Sequence, residues 1–295
     1  MITGDRAFGP GHPRYELQRG AVEDLQVLYW GPACAGRRGS TWPTIPAGPF
    51  DVVTAQDPFW RGVFAWRAAR RLGAKLNVQV HTDLSAYSFV RQVLAHMVLR
   101  HATGVRVVSE KIKNQVEQYG TGAKITVLPV YIDVAKFKNI ERQPHDTKTI
   151  LWFGRFEKEK DPLLALDILK QIPGAKLIML GKGSLEKSLH TKAVGLPVEF
   201  PGWADPAPYL AQADVVLCTS HHESWGASMV EALAAGVPVV APDVGVAKEA
   251  GAIVVPRAHL AQGVAEVLKS GARGELRLEL LSEKEWAQAW KNSLV

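Results

Sequence analysis

Two glutamates with seven residues between them, Glu223 and Glu231, are the first candidates for chemistry in the sequence. The apolar run at 214–217 precedes them and predicts a buried parallel strand. Helix-forming residues then continue to Gly236, a residue type that is common just after a helix end. The two carboxylates therefore frame the loop and the first turns of a helix at the carboxyl edge of a sheet, where open α/β sheets bind ligands.

The predicted helix start between the glutamates is suited to an anion. It presents unpaired backbone N–H groups and the positive end of the helix dipole. Glu223 lies before this point and Glu231 after it, so that each carboxylate can accept hydrogen bonds from hydroxyl groups on one side of a phosphate. A nucleotide sugar has this layout of ribose, diphosphate and sugar. The residues expected to hold the anion are Gly226, Ala227, Ser228 and Met229.

The glutamate pair and the run that follows it, Ala-Leu-Ala-Ala-Gly-Val-Pro-Val-Val-Ala, resemble the signature of the retaining family-four glycosyltransferases, glycosyl transferases group 1. The resemblance implies the GT-B fold, an α/β fold with two Rossmann-like domains that face each other across a cleft. It also implies a nucleotide-diphosphate sugar as donor, with Glu223 on the sugar hydroxyls and Glu231 on the ribose. Two ordinary glutamates on an α/β helix are the alternative interpretation.

Two cations follow the strand predicted at 149–153. Arg155 and Lys160 lie in the same loop, where a guanidinium can bind a diphosphate through two hydrogen bonds and an ammonium can neutralise the remaining charge. The Gly-Arg … Glu-Lys element is similar to that of the family, which implies that both cations bind the diphosphate. Lys158 is the alternative lysine, and a charged surface loop is the alternative interpretation.

The sequence contains no Asp-x-Asp pair. Metal-dependent glycosyltransferases of the other main fold use such a pair to hold a cation on the diphosphate. We therefore expect neither a metal nor a cofactor, with Arg155 and Lys160 stabilising the leaving group.

Further candidates follow other predicted strands. Glycine allows a backbone to approach a ligand closely, and the resemblance implies that Gly9 and Gly11 face the donor diphosphate. It likewise implies that Gly181 and Gly183 belong to the base-binding loop. Ordinary turns are the alternative for both pairs. A lone histidine at a strand end is more often structural, but the resemblance implies that His81 contacts the donor sugar.

The chain of 295 residues is long enough for two domains. A polar segment with a proline predicts a boundary between 1–143, the acceptor-side domain, and 144–282, the nucleotide-sugar domain. The resemblance implies that the last helix, at 283–295, packs back on the first domain. Only three residues precede the first loop, so that we expect either a very short first strand or further residues upstream. A stretch rich in Gly, Pro and Ala at 31–49 predicts a loop near the acceptor.

Charge is spread unevenly along the chain. Residues 1–143 contain 19 Lys and Arg against 11 Asp and Glu, a charge of +8, whereas the remainder contains 16 against 18, a charge of −2, which gives +6 in total. The basic first half favours an acidic partner: a phospholipid surface, a lipid-linked acceptor or another anionic acceptor. No dense basic motif with interleaved aromatic residues indicates a nucleic-acid partner.

No apolar run approaches the roughly 20 residues of a membrane span, and the first residues have neither the basic nor the apolar region of a signal peptide. We therefore expect a cytoplasmic protein, with peripheral contact at the inner membrane face as a further possibility. The helix predicted at 58–73 bears on this contact, because arginines and aromatic residues lie opposite a row of alanines. Either its aromatic side chains enter the core, or its alanines pack on the sheet and the aromatic–arginine face touches an anionic membrane.

The sequence thus predicts a retaining, metal-independent glycosyltransferase of glycan or glycolipid biosynthesis. Other proteins of the same fold remain alternatives: a nucleotide-sugar epimerase, a sugar phosphorylase, or a non-catalytic subunit that binds nucleotide sugars.

Overall fold

The computed structural model describes residues 1–5, 8–30, 44–143 and 146–295. These residues form two compact units, Met1–Tyr131 with Leu281–Val295, and Ile132–Leu280. Each unit has a parallel sheet with helices between the strands, which confirms the α/β class that the alternation of strand and helix patterns predicts. Part of the predicted acceptor loop, at 31–43, lies outside the described residues.

The described part of the first unit contains a six-stranded sheet of order β2-β1-β3-β4-β5-β6, and all of its neighbouring strands are parallel. Its first strand has two residues, Ile2 and Thr3. The strands are β1 Ile2–Thr3, β2 Leu28–Tyr29, β3 Val52–Ala55, β4 Lys75–Val80, β5 Gly104–Val107 and β6 Lys124–Val127.

Helices connect these strands: α1 Pro13–Gly20, α2 Trp60–Leu72, α3 Phe89–Leu99 and α4 Glu110–Glu117. Local sequence explains several of their ends. Gly73 ends α2 in the left-handed conformation at φ 66°. Ser109 begins α4 as the sequence predicts, because its hydroxyl accepts a hydrogen bond from the Ile112 N–H at 3.4 Å.

Helix α2 packs its alanines against strands β3 and β4. Ala65, Ala68 and Ala69 are buried and Phe64 enters the core with them, whereas Trp60 stays 54% exposed. The aromatic residues of this helix are therefore divided between core and solvent. Each of the two alternatives left open by the sequence therefore describes part of the helix, because the alanines pack on the sheet together with Phe64 while Trp60 faces solvent.

The chain returns to the first unit with its last helix, α12 Glu283–Asn292. A reciprocal capping box between Ser282 and Glu285 starts this helix. Trp286 and Trp290 are buried, and the Trp286 indole N–H donates to Pro129 O at 2.8 Å. The C-terminal segment is thus part of the first unit's core.

The described part of the second unit also contains a parallel six-stranded sheet, of order β12-β11-β10-β7-β8-β9. Its strands are β7 Lys148–Phe153, β8 Ala175–Leu180, β9 Val198–Gly202, β10 Val215–Leu217, β11 Val239–Ala241 and β12 Ile253–Val254. Its helices are α5 Ala135–Lys138, α6 Pro162–Leu169, α7 Glu186–Lys192, α8 Ala207–Leu210, α9 Ala227–Ala234, α10 Ala247–Ala250 and α11 Leu260–Ser270. A core of aliphatic and aromatic side chains, including Trp152 and Phe156, lies between the sheet and its helices.

The division between the units falls before Ile132, earlier than the polar segment that predicts the linker. Two contacts assign the residues after Tyr131 to the second unit. Helix α5 packs against α9, and the Gln143 N–H donates to Ala211 O at 2.8 Å. Composition alone marks the exposed part of this connection and not the point at which its packing changes.

No helix among the described residues has both the length and the apolar character of a membrane span.

Candidate functional site

The loops that follow β7 and β10 meet at the carboxyl edge of the second sheet, as adjacent parallel strands require. Thr219 joins them, because its hydroxyl donates to Lys160 O and accepts from the Trp152 indole N–H, both at 2.8 Å. The His221 N–H donates to Glu159 O at 2.9 Å. The candidate residues of the two loops are therefore held at fixed positions relative to each other.

Lys160 and Glu223 form an ion pair at the centre of this edge. The Lys160 ammonium lies 2.5 Å from Glu223 Oε1, and the Ser220 hydroxyl donates to the same oxygen at 2.7 Å. The Glu223 side chain is 9% exposed and that of Lys160 is 21% exposed. Sequence spacing alone places the two residues in separate loops, whereas the fold brings their charged groups into contact.

A second cation, Arg257, holds the same two loops and was not a sequence candidate. Its guanidinium donates to Asp161 Oδ2 at 2.6 Å, to Ser220 O at 3.0 Å and to Thr219 O. Asp161 itself has a left-handed backbone at φ 45°, which is costly for a residue other than glycine. Arg257 follows β12. It could therefore have been predicted in the same way as Arg155, as a cation in a loop at the carboxyl end of a parallel strand.

Helix α9 begins at this edge with Gly226 at φ 99° as its N-terminal flanking residue. The backbone N–H groups of Ala227 and Ser228 have no acceptor among the described residues. The N–H of Met229, by contrast, donates to Gly226 O at 3.0 Å. The open part of the predicted anion site therefore consists of the first two amides of α9, and the amide of Met229 does not belong to it.

Glu231 is the fifth residue of α9, in the second turn of the helix that also carries this open end. Burial raises the pKa of its carboxyl group to about 7, the nearby Lys136 lowers it and Asp205 raises it further. Lys136 and Asp205 pair with each other at 2.9 Å, and the side-chain carboxylate of Glu231 has no hydrogen-bond partner among the described residues. A half-buried carboxylate without a partner is suited to accept hydrogen bonds from ligand hydroxyls.

Arg155 lies in the loop after β7 but faces solvent. Its side chain is 61% exposed and pairs with Glu159 at 2.7 Å. Lys158, the alternative lysine, is exposed and makes no ion pair among the described residues. The structure therefore brings Lys160, and not Lys158, to Glu223.

Gly181 and Gly183 follow β8 and have a packing role that the sequence did not show. A Cβ atom on Gly181 would lie 1.9 Å from Gly154 O, and one on Gly183 would lie 2.6 Å from Phe156 O. The Phe156 N–H also donates to Lys182 O at 2.9 Å. The glycines thus allow the loops after β7 and β8 to pack directly on each other.

In the first unit, Gly9 and Gly11 lie between β1 and α1. Gly11 has φ 85°, and its N–H donates to the Glu16 carboxylate at 2.8 Å. A Cβ atom on Gly9 would lie 2.8 Å from the Tyr29 hydroxyl. The Gly11 amide, which the resemblance assigns to the diphosphate, therefore already donates to the carboxylate of Glu16.

His81 follows β4 and lies in a polar cluster with Gln79 and Arg106. Gln79 Oε1 accepts from Arg106 at 2.8 Å and lies 3.3 Å from His81 Nε2. Because this oxygen is an acceptor, we assign the imidazole proton to Nε2 and leave Nδ1 as an acceptor. Burial, followed by the charges of Arg106 and Arg14, holds the pKa of His81 well below its usual value, so that the ring is neutral at pH 7.

Comparison with known proteins agrees with this architecture. Residues 147–270 match the family model described as glycosyl transferases group 1, and residues 5–130 match that of the glycosyl transferase 4-like domain. The structure resembles that of HepE from Anabaena in complex with UDP and glucose, with a TM-score of 0.67 and 20% identity over 83% of this chain and 74% of that one.

The sequence of the chain is also similar to those of curated glycosyltransferases and related synthases. A glycogen synthase of Mycobacterium tuberculosis (strain ATCC 25618 / H37Rv) is 31% identical over 70% of this chain and 57% of its own length. The lipopolysaccharide core biosynthesis glycosyltransferase LpsE of Rhizobium meliloti (strain 1021) is 30% identical over 44% of this chain and 41% of its own length. The chain thus spans about half the length of the curated relatives it matches. With both units matched and the fold shared, the chain belongs to the group 1 glycosyltransferases of the GT-B fold.

Proposed function

We propose that the chain transfers a sugar from a nucleotide-diphosphate donor to an acceptor hydroxyl, with retention of anomeric configuration and without a metal ion. One observation carries the proposal. Lys160, Glu223 and the open first turn of α9 lie at neighbouring strand ends of one unit. This arrangement offers positive groups for a diphosphate beside a carboxylate for sugar hydroxyls.

In this proposal the departing diphosphate receives its stabilisation from protein cations and amides. Lys160 and the N–H groups of Ala227 and Ser228 face the phosphate oxygens, and Arg155 exchanges Glu159 for the ligand. Fixed donors aimed at developing negative charge are among the largest contributions to catalysis. When the site is empty, Lys160 balances the buried charge of Glu223.

The glutamates hold the two ends of the donor. Glu223 accepts hydrogen bonds from sugar hydroxyls once Lys160 turns to the diphosphate, and Glu231 accepts them from the ribose. Gly181 and Gly183 shape the base-binding loop. His81, with a neutral ring, contacts a donor-sugar hydroxyl. The acceptor attacks on the face that the leaving group vacates, which is the course expected of a retaining enzyme of this family.

The comparisons support a choice of substrates. The HepE structure contains UDP and glucose, so that we propose a UDP-sugar donor. LpsE belongs to lipopolysaccharide core biosynthesis, and the first 143 residues carry a charge of +8 by the count above. We therefore propose an anionic or lipid-linked acceptor and a cytoplasmic protein with peripheral membrane contact.

The test is release of nucleotide from UDP-, GDP- and ADP-glucose by the purified protein, in the presence and absence of EDTA. We expect release from UDP-glucose, unaffected by EDTA, and a loss of about 10²-fold or more in Glu223→Gln and Lys160→Ala. Lys158→Ala changes an exposed lysine of the same loop and serves as the matched control. Near-normal turnover by both folded site variants would refute the mechanism, and inversion in the NMR spectrum of the product would refute retention.

A further inference from the structure

A cavity of about 250 Å³ lies within the first unit, next to His81. The residues that matter here come from the first helix, from strands β4 and β5 and from the position just after β4. They are Arg14, Gln18, Gln79, His81 and Arg106. Trp286 of the C-terminal helix also lines the cavity, and its ring lies 5.1 Å from the Arg106 guanidinium.

Arg106 is 1% exposed and its contacts are with neutral groups. It donates to Gln79 Oε1 at 2.8 Å, to Leu128 O at 3.0 Å and to Pro129 O at 2.8 Å. An arginine has five N–H groups, so that two have no acceptor among the described residues. Burial lowers the pKa of this guanidinium to about 9, with the charge of Arg14 as the second cause. A buried charge of this kind is normally paired with an opposite charge.

The cavity contains a second group without a partner. The side-chain oxygen of Gln18 is buried and has no hydrogen bond, in a residue that is 3% exposed. Among the described lining residues, the charged groups are Arg14, Arg106 and one carboxylate, Asp5. Asp5 lies 3.8 Å from Arg14, and both side chains are more than two-fifths exposed. The carboxylate therefore balances the outer arginine and leaves Arg106 uncompensated.

Further hydrogen bonds between buried side chains hold Gln79 of the polar cluster in place. Gln79 Nε2 donates to Thr54 Oγ1 at 3.0 Å, and Thr54 donates to Asn77 Oδ1 at 2.8 Å. Asn77 in turn donates to Ser293 O at 2.8 Å. This row of buried polar side chains holds Gln79 with its oxygen toward Arg106. The guanidinium is therefore pre-oriented, which lowers the entropy cost of binding a ligand.

We propose that this cavity binds an anionic group, a phosphate or a carboxylate, of one of the two substrates. Arg106 and Arg14 supply the charge, and Gln18 accepts a hydrogen bond from an adjacent hydroxyl. The assignment of the anion to a substrate rests on the proposed function, whereas the site itself does not. The bound anion supplies the negative charge that Arg106 lacks among the described residues around it.

The first test is a titration of the full chain with inorganic phosphate, followed through the imidazole NMR signal of His81. That signal is assigned with His81→Gln. We expect a saturable shift in the wild type, with a dissociation constant at least tenfold higher in Arg14→Gln and no shift in Arg106→Met. Arg19→Gln is the matched control, since Arg19 is exposed on the same helix outside the cavity. If Arg106→Met does not fold, Arg14→Gln decides.

Lys160→Ala separates this site from the diphosphate site of the second unit. We expect its His81 response to phosphate to equal that of the wild type, even where nucleotide release is lost. A His81 signal that does not move, or that moves equally in wild type and Arg14→Gln, would overturn the site while leaving the proposed function standing.

A second set of titrations identifies which substrate carries the anion. UDP-glucuronate is compared with UDP-glucose, and glucose 6-phosphate with glucose. Tighter binding of UDP-glucuronate that is lost in Arg14→Gln assigns the anion to the donor sugar, and the same result for glucose 6-phosphate assigns it to the acceptor. Equal binding of charged and neutral members in both pairs would show that no substrate anion uses the cavity.

Discussion

At the level of a single residue, the buried carboxyl group of Glu231 shows how a group suited to ligand binding can lower the stability of the folded protein. Its carboxyl pKa of about 7 lies above its ordinary value of 4.5, mainly because of burial. The ionised form is therefore less favourable in the folded protein than in the unfolded chain. The resulting cost is absent below about pH 4.5, grows as the pH rises and is complete above pH 7.

We predict that Glu231→Gln stabilises the free protein at pH 8, by on the order of 1–3 kcal/mol, and leaves its stability unchanged near pH 4.5. The same variant should bind nucleoside diphosphate more weakly, because a ribose hydroxyl donates best to an ionised carboxylate. Urea unfolding at both pH values and a nucleotide titration measure the two effects. A variant that is less stable than wild type at pH 8 would contradict the explanation.

At the level of elements, the site depends on how loops pack on one another. Arg257 links the loop after β7, through Asp161, to the loop after β10, through Thr219 and Ser220. It thereby fixes the separation of Lys160 and Glu223 without being a candidate for ligand contact itself.

We predict that Arg257→Met lowers nucleotide release by about tenfold or more, because small displacements of catalytic groups cost rate steeply. Arg257→Lys restores the charge without the forked geometry and should recover only part of the activity. Arg273→Met removes an exposed arginine of the same unit and is the control. Unchanged release in Arg257→Met would show that the link between the loops is dispensable.

Secondary structure followed closely from local patterns, since its causes are local. The glycine after α9 has φ 73°, as expected of a helix end, and Ser109 caps α4. The polar row in the first sheet was not predictable in the same way. In the sequence Asn77 is one residue of a predicted strand. Only the fold shows that its side chain donates to the backbone oxygen of Ser293, which is distant in sequence. The contact of Lys160 with Glu223 depends likewise on the pairing of β7 with β10.

At the level of the whole molecule, the C-terminal helix completes the first unit although it follows the second in sequence. Trp290 is 1% exposed and packs in a cluster with Trp286, Leu128 and Leu294. The stability of the first unit therefore depends on the last residues of the chain.

We predict that Trp290→Ala destabilises the first unit by about 3–5 kcal/mol. Hydrogen exchange followed by mass spectrometry should show faster exchange in β1 to β6 and unchanged exchange in β7 to β12. Gln288→Ala, at an exposed position of the same helix, is the control. Equal acceleration in both units would argue against this assignment of the helix.

The central claim is that Lys160, Glu223 and the start of α9 bind the diphosphate of a nucleotide sugar. Calorimetric titration of UDP, GDP and ADP into wild type, Lys160→Ala and Lys158→Ala tests it most directly. The account predicts that UDP binds the wild type and Lys158→Ala alike and binds Lys160→Ala about 30- to 150-fold more weakly, since charged hydrogen bonds in a half-buried site contribute about 2–3 kcal/mol. Equal affinity in all three proteins, or binding by none of them, would contradict it.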